Sequence, residues 1–150
     1  MLSVALERLS LSEISVRARL LRDGAYLPFR ATPSASGFDL FACIAHPIAL
    51  SQVPTVIGTG VALEVPDGFD AQIRPRSGLA RKGVLSTFGT LDSDYRGELL
   101  ITLYTTAPSV EYTVQSGDRI AQLVITRLVD VAFEQVEELN DTVRGAGGLG

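Results

Sequence analysis

The stretch Gly89-Thr-Leu-Asp-Ser-Asp-Tyr-Arg-Gly97 decides how the rest of the chain is organised. It places two carboxylates, an aromatic ring and a guanidinium between two glycines. Apolar runs typical of strands surround it, at residues 61–65 and 71–73 before it and at 99–104 and 120–125 after it. Polar groups that rigid strands hold in place are what a preorganised site requires. A turn accounts for the glycines and the Asp-Ser-Asp triplet, but it gives no reason for the Tyr-Arg pair that follows.

Outward from this stretch, the chain alternates between short apolar runs and turn signals. We predict strands at 16–21, 38–42, 48–50, 55–58, 61–65, 70–74, 84–86, 98–106, 119–128 and 131–137. Turn signals such as Pro66-Asp67-Gly68 and Ser116-Gly117-Asp118 separate them. One short helix is predicted at 77–82, with Ser77 as its cap and Gly83 at its end. The pattern predicts an all-β fold, either a distorted barrel or a jelly roll.

A chain of 150 residues, of which 46% are hydrophobic and 20% charged, is long enough to bury one core. Residues 1–14 are expected to be an N-terminal extension, either a short amphipathic helix or a frayed segment. Residues 15–139 are predicted to form the β domain. Residues 140–150 turn polar and then glycine-rich, which predicts a C-terminal arm.

The composition argues against several classes of protein. The net charge of −4 argues against general nucleic-acid binding, although a few arginines can still form a pocket for one small anion. A single cysteine, Cys43, fits a reducing compartment and a small buried hydrophobe. The only histidine, His46, precedes a proline and is expected at the surface, so no histidine cluster binds metal. No apolar run approaches a membrane span and no signal peptide is evident, so we expect a cytoplasmic protein that binds no membrane.

The segment Arg74–Ala80 ends a strand and begins the predicted helix. Free N–H groups at a helix start attract an anion, and Arg76 adds a fork that matches phosphate. An ordinary serine cap beside a solvated arginine explains the segment equally well. Asp92, at the end of a strand or in a hairpin, can accept a proton from water, whereas the alternative is a pair of turn aspartates.

Three further polar positions each allow two interpretations. Asp39 lies between apolar residues and needs a partner, either an arginine or the outer shell of a metal. Gln122 in an apolar strand bonds either to backbone or to a ligand. The glycine-rich C-terminus is either a disordered tail or an arm that closes over a ligand, with Arg144 as a phosphate clamp.

Taken in order, five segments resemble the five motifs of the trimeric dUTP nucleotidohydrolases, the dUTPases. They are Ser36-Gly-Phe-Asp-Leu40, Pro75-Arg-Ser-Gly-Leu-Ala80, Gly89–Gly97, Gly117-Asp-Arg-Ile-Ala-Gln-Leu123 and Arg144-Gly-Ala-Gly-Gly-Leu-Gly150. The resemblance implies a jelly-roll-like subunit and a homotrimer whose active sites lie at the subunit interfaces. It also implies hydrolysis of dUTP to dUMP and pyrophosphate, with Mg²⁺ on the triphosphate. Such an enzyme limits uracil in DNA and supplies dUMP for thymidylate synthesis.

The resemblance also assigns roles at the phosphates. Asp92 would activate the water that attacks the α-phosphorus. Phosphate oxygens would be held by Arg76, Ser77 and Gly78, and Gln122 would add a contact on the same side.

At the base and sugar, the Tyr95 ring would pack against the deoxyribose and exclude a 2′-hydroxyl. Backbone groups of the hairpin would pair with the uracil edge, and they belong to Ser86, Gly89, Thr90, Leu91 and, on the next strand, Leu100. Arg144, Leu149 and Gly150 of the arm would close over the γ-phosphate and the base. Asp39 would support either the water shell of the metal or the framework of the site.

This sequence departs from the family pattern at two positions. Ser86 stands where many bacterial members have asparagine, so backbone groups are expected to carry more of the uracil recognition. Leu149 replaces the aromatic that usually stacks on the base, which predicts a lid contact weaker by about 1 kcal/mol.

Three competing functions remain open from the sequence. The related dCTP deaminases carry a catalytic glutamate after Thr-Leu in the next strand, where this chain has Tyr104, so deamination is not expected. The second is a non-catalytic, nucleotide-binding regulatory protein on the same fold, and the third is a purely structural trimer. Asp92, Tyr95 and Arg144 argue against the regulatory protein.

Overall fold

The computed structural model describes residues 13–148, which form antiparallel strands and one short helix. This confirms the predicted all-β class. The elements are β1 Arg17–Leu20, β2 Phe38–Phe41, β3 Ile48–Ala49, β4 Thr55–Glu64, β5 Phe69–Arg74, α1 Ser77–Ala80, β6 Val84–Ser86, β7 Gly89–Leu91, β8 Glu98–Thr105, β9 Thr113–Val114 and β10 Arg119–Arg127. Within residues 13–148, none of the helical segments has the length and apolar character of a membrane span.

Two four-stranded sheets and one small strand pair build the subunit. The strand orders are β1-β4-β8-β6 in the first sheet and β2-β10-β5-β7 in the second, and β3 pairs with β9. The alternation in β8 shows how the core forms, because Leu99, Ile101 and Leu103 are buried while Leu100 is half exposed. Leu40 and Leu123 of the second sheet belong to the same core cluster. The buried residues of both sheets thus form one core, as in a jelly-roll-like sandwich.

The two strands predicted at 55–58 and 61–65 are one strand, so that prediction is wrong. The pairing with β8 moves from Gly58 opposite Leu100 to Ala62 opposite Glu98. The glycines therefore form a bulge inside β4 and not a break between strands. Thr59 stabilises the bulge because its hydroxyl donates to the carbonyl of Leu99 at 2.7 Å.

The helix is shorter than predicted, and Ser77 does not cap it. Ser77 is the first helical residue, so the capping position falls on Arg76, whose side chain makes no capping hydrogen bond. The Arg76 carbonyl accepts the first helical bonds, from the N–H groups of Leu79 and Ala80. Gly83 follows the helix with φ +80°, a conformation that glycine adopts without strain.

The strand predicted at 131–137 is also wrong. After β10 the Leu128 N–H donates to the Gly68 carbonyl, and residues 128–148 form no strand. Val129 is 80% exposed and Phe133 is 98% exposed, so the alternating apolar side chains of this segment lie away from their own core. The predicted boundaries of the β domain and the C-terminal arm stay predictions.

Candidate active site

The first cavity of interest measures about 280 Å³ and lies between β2, β10 and the start of α1. It is lined by Ala31, Ala35, Ser36, Gly37, Asp39, Arg76, Ser77, Gly78, Arg119 and Gln122. Three separate stretches of the sequence, at 36–40, 75–80 and 117–123, therefore meet here. We call this space the arginine cavity.

Asp39 lies between two arginines in the arginine cavity. Its Oδ1 accepts from Arg76 Nε at 3.0 Å, and its Oδ2 accepts from Arg119 Nη1 at 3.4 Å. Arg76 Nη1 also donates to the Arg119 carbonyl at 3.0 Å. Of the two partners considered for Asp39, the arginine is the one observed. Two guanidinium groups against one carboxylate leave the cavity with a positive charge, which favours an anion.

Gln122 connects β10 to the turn before α1. Its Nε2 donates to the Pro75 carbonyl at 2.9 Å, so of the two partners considered for Gln122 the backbone is the one observed. Its amide lies against Gly37, where a Cβ atom would collide with the Gln122 side chain. Glycine at 37 therefore allows this close approach. A contact between Gln122 and phosphate stays a prediction.

The second cavity measures about 220 Å³ and lies at the Gly89–Gly97 stretch, between β5, β7 and the start of β8. It is lined by Ile73, Gly89, Thr90, Leu91, Asp92, Tyr95, Glu98, Leu99 and Leu100. Asp92 follows β7 directly, as predicted, and its side chain is exposed. We call this space the hairpin cavity, although the hairpin expected around 86–91 does not form as a paired unit.

The segment from Ser86 to Leu91 crosses from one sheet to the other. Ser86 pairs with Leu103 in the first sheet, whereas Gly89 pairs with Ile73 in the second. The two arms, β6 and β7, therefore pair with longer strands of different sheets and not with each other.

Among residues 13–148, this crossing leaves two strand edges without backbone partners. β7 is the last strand of its sheet, and β6 covers β8 only from Leu103 onward, with one further bond from Thr87 N–H to the Thr102 carbonyl. The edge of β7 and the start of β8 both line the hairpin cavity. An open strand edge presents unpaired N–H and C=O groups, which can recognise the edge of a flat heterocycle.

Tyr95 and Arg96 have different environments. The Tyr95 hydroxyl donates to the Glu98 carbonyl at 3.0 Å, and the side chain is 43% exposed at the hairpin cavity. Arg96 folds back, donating through Nη1 to the carbonyls of Ser93 and Tyr95, and its Nη2 lies 3.7 Å from Glu64 Oε1. Arg96 therefore stabilises the turn and Tyr95 lies at the cavity, which explains why the pair follows the Asp-Ser-Asp triplet.

Ser86 and Arg144 line neither cavity. Ser86 is 5% exposed because the alternation of β6 turns it toward the core, and its hydroxyl has no hydrogen-bond partner among residues 13–148. Arg144 is exposed, and its Nε donates to the Gly147 carbonyl at 2.7 Å within the arm. Leu149 and Gly150 lie outside the described residues.

Among the charged residues that line these cavities, sequence reasoning missed Arg119 and Glu98. Each carried a usable signal. Arg119 follows the Gly117-Asp118 turn in the fourth segment, and Glu98 is an acidic residue at the start of a strand with a buried apolar face.

Within residues 13–148, no three His, Cys, Asp or Glu side chains group closely enough to hold an ion. Mg²⁺ commonly binds through one or two carboxylates together with substrate phosphates, so such a site needs no complete set of protein ligands.

A strand-bound site with a positive anion cavity and a separate cavity for a flat ring is typical of a nucleotide-binding enzyme. A family model described as dUTPase matches residues 23–150. The chain is 46% identical over 134 residues to the deoxyuridine 5′-triphosphate nucleotidohydrolase of Hydrogenobaculum sp., covering 87% of this chain and 92% of that protein. It is 43% identical over 141 residues to the enzyme of the same name from Syntrophotalea carbinolica, covering 91% of this chain and 95% of the relative. The chain therefore belongs to the dUTPase family.

Solved structures agree with this assignment. A mutant dUTPase of Staphylococcus bacteriophage 80alpha superposes with a TM-score of 0.82 at 27% identity, covering 91% of this chain and 97% of that one. A mutant dUTPase from phage phi11 of S. aureus gives a TM-score of 0.76 at 28% identity, covering 83% and 98%. The phi11 enzyme is described with a structural Mg(II) ion, and another form of the 80alpha enzyme with the ligand dUpNHpp.

Proposed function

We propose that this member of the dUTPase family hydrolyses dUTP to dUMP and pyrophosphate, and that Asp92 activates the attacking water. The observation that carries the proposal is the hairpin cavity, where the exposed Asp92 carboxylate lies beside Tyr95 and two open strand edges. A carboxylate fixed at a strand end can orient a water and accept its proton as the water attacks the α-phosphorus.

Recognition of the base is assigned to the backbone of Gly89–Leu91 and Leu100. Donor and acceptor groups exchange places between uracil and cytosine, so fixed N–H and C=O groups accept only one of the two bases. The wall formed by these strands would also exclude the methyl group of thymine. Tyr95 would pack against the deoxyribose and exclude a 2′-hydroxyl.

The triphosphate is assigned to the arginine cavity. Arg76 offers a planar fork for phosphate oxygens, Ser77 and Gly78 lie at the start of α1, and Gln122 lines the same space. When bound, Mg²⁺ would neutralise charge on the phosphates and help to stabilise the transition state. Because Asp39 is already paired with two arginines, we assign it to the framework of the site, where it orients Arg76. Arg144 would add a clamp when the arm closes.

The two cavities share no lining residue within one subunit. We therefore place the substrate between the hairpin cavity of one subunit and the arginine cavity of another, in a homotrimer. The exposed apolar side chains of Val129, Val131 and Phe133 support an assembly, because isolated subunits rarely expose such a segment.

Mixing two inactive variants tests this arrangement directly. Asp92→Asn and Arg76→Ala each remove one half of the site and are expected to be inactive as pure proteins. Co-expressed mixed trimers are expected to recover part of the wild-type activity, because some of their sites combine an intact Asp92 with an intact Arg76. No recovery, in mixed particles whose trimeric mass light scattering confirms, would place both residues of a site on one chain.

A substrate panel separates the competing functions. With Mg²⁺ present, pyrophosphate release is expected to be far faster from dUTP than from dCTP, dTTP or UTP. Conversion of dCTP to a uracil nucleotide would instead indicate a deaminase. Binding of dUTP without pyrophosphate release would indicate a regulatory protein, and absence of nucleotide binding would indicate a structural trimer.

A further inference from the structure

Glu98 lines the hairpin cavity, and its carboxylate connects the start of β8 to β4. Its Oε1 accepts from the Gly60 N–H at 2.7 Å and from Arg22 Nη2 at 2.6 Å. Arg22 Nη2 also donates to the Cys43 carbonyl at 2.7 Å. The Glu98 side chain is 24% exposed. One oxygen thus ties the start of β8 to β4 and to the segment after β1.

The β4 bulge is shaped to receive this carboxylate. Gly60 has φ +69°, a backbone conformation that residues with a Cβ rarely adopt. In this conformation its N–H donates to Glu98 Oε1. A Cβ at Gly58 would lie 2.6 Å from Arg22 Nη2 and 2.7 Å from Glu98 Oε1. Both glycines are therefore needed for the contact, one for its conformation and one for its lack of a side chain.

Charge stabilises the same contact. The hydrogen bond from Arg22 lowers the pKa of Glu98, and it outweighs burial, which acts in the opposite direction. The bond in turn raises the pKa of Arg22. Glu98 is consequently an ionised carboxylate at neutral pH and makes charge-assisted hydrogen bonds, which are the stronger kind.

The backbone of Glu98 meets the Tyr95 ring. Its carbonyl accepts from the Tyr95 hydroxyl at 3.0 Å. The ring lies so close to Gly97 that a Cβ there would collide with it. The position of the ring therefore depends on where the start of β8 is held, and the side chain of Glu98 holds it.

We propose that Glu98, held by Arg22 and the Gly60 N–H, is a positioning residue that fixes the Tyr95 ring and thereby sets the discrimination between deoxyribose and ribose. The inference rests on the proposed role of Tyr95 in the hydrolysis of dUTP. A ring held at both ends excludes the 2′-hydroxyl by contact. A ring whose anchor moves leaves room for it.

The test compares kcat/KM for dUTP and for UTP. Glu98→Ala is expected to lower the dUTP-to-UTP ratio at least tenfold, mainly by raising activity on UTP. Arg22→Met is expected to lower it several-fold. Glu98→Gln is expected to fall between Glu98→Ala and the wild type, because its amide oxygen still accepts from Gly60.

Arg17→Met is the matched control, since Arg17 pairs with Glu64 at 3.0 Å on the exposed edge of the same sheet. The dUTP-to-UTP ratio of this variant is expected to stay at the wild-type value.

Two outcomes separate the inference from the proposed function. If the wild-type protein releases no pyrophosphate from dUTP, the proposed function fails. If the wild type is active and the folded Glu98→Gln and Arg22→Met variants both keep the wild-type ratio, the inference alone is overturned. These two variants keep the size of the side chain, so they serve also where Glu98→Ala does not fold.

A double-variant comparison distinguishes positioning from general stability. Tyr95→Phe keeps the ring and removes the hydroxyl that meets the Glu98 carbonyl. Adding Arg22→Met to Tyr95→Phe is expected to lower the selectivity ratio little further, because both changes release the same ring. Losses that multiply independently, or a drop in melting temperature with no change in the ratio, would overturn the positioning role.

Discussion

Arg76 Nε lies 3.0 Å from Asp39 Oδ1, which joins the residue before α1 to the second residue of β2. The two side chains are only 23% and 13% exposed, so water screens this pair less than a surface pair. The contact fixes the guanidinium that we assign to the phosphates. Arg76, which the sequence alone allowed to be a solvated arginine, is therefore an oriented one.

Asp39→Asn is expected to weaken substrate binding more than it slows chemistry. The amide keeps the shape of the carboxylate, but it loses the charge that holds Arg76 and Arg119. We expect KM for dUTP to rise roughly tenfold and the free energy of unfolding to fall by about 1–3 kcal/mol. Steady-state kinetics and thermal unfolding measure the two effects. The exposed Asp130→Asn is the control, and a KM for Asp39→Asn equal to that of the control would contradict the orienting role.

Gly37→Ala tests the close approach of Gln122. The new methyl group would displace the Gln122 amide from the Pro75 carbonyl. We expect destabilisation of about 1–3 kcal/mol, as for overpacking in general. Gly78→Ala is the control for stability, because a Cβ at that position would meet no atom of another part of the described chain within 4 Å. Equal melting temperatures for the two variants would show that the Gly37 contact is not needed.

Ser86→Ala tests the buried hydroxyl that has no partner. Removing an unsatisfied polar atom is expected to leave stability unchanged or to raise it by up to about 1 kcal/mol. Thr59→Val is the comparison, because its buried hydroxyl donates to the Leu99 carbonyl, and its loss is expected to cost about 1–3 kcal/mol. Denaturant unfolding measures both. A clear loss of stability or of dUTP turnover in Ser86→Ala would show that the hydroxyl has a partner in the assembled enzyme.

The contribution of Glu98 to stability is expected to depend on pH. The pKa of Glu98 is lower in the folded protein than in the unfolded chain, so its bonds stabilise the fold above the ordinary glutamate value near 4.5. That stabilisation is lost as pH falls from this value through the lowered pKa. The difference in free energy of unfolding between wild type and Glu98→Gln is therefore expected to be constant near neutral pH and to shrink in acid. A difference that does not change down to pH ~3 would contradict this assignment.

Local patterns in the sequence predicted much of the fold. The alternation of β8 and the turn at Gly117-Asp118 each involve residues within a few positions of one another and need no distant partner. The prediction of a strand at 131–137 was wrong for the opposite reason, since an alternating apolar segment needs a partner strand, and the described part of this subunit pairs none with it. The predicted break at Gly58–Gly60 was wrong because glycines mark both a bulge and a break in a strand. Only the pairing with β8 distinguishes the two.

The residues of the site divide in the same way, into neighbours in the sequence and partners that only the fold brings together. The residues around Asp92 stand together in the chain and could be found as a group. The partners of Asp39 and Glu98 could not, because Arg119 lies 80 residues from Asp39, and Arg22 lies 76 residues from Glu98. An acid among apolar neighbours signals that a partner exists, but the fold alone determines which arginine fills that role.

The central claim is that Asp92 activates the water that cleaves dUTP. The most direct measurement is pyrophosphate release from dUTP with Mg²⁺ for the wild type, Asp92→Asn and Asp94→Asn, together with dUTP binding by calorimetry. Asp94 is also exposed and lies two residues away, so it controls for the loss of one charge in this turn. We expect Asp92→Asn to bind dUTP and to lose on the order of 10²–10⁴ in kcat, and Asp94→Asn to stay within a few-fold of wild type. Turnover by Asp92→Asn close to the wild-type rate would contradict the claim.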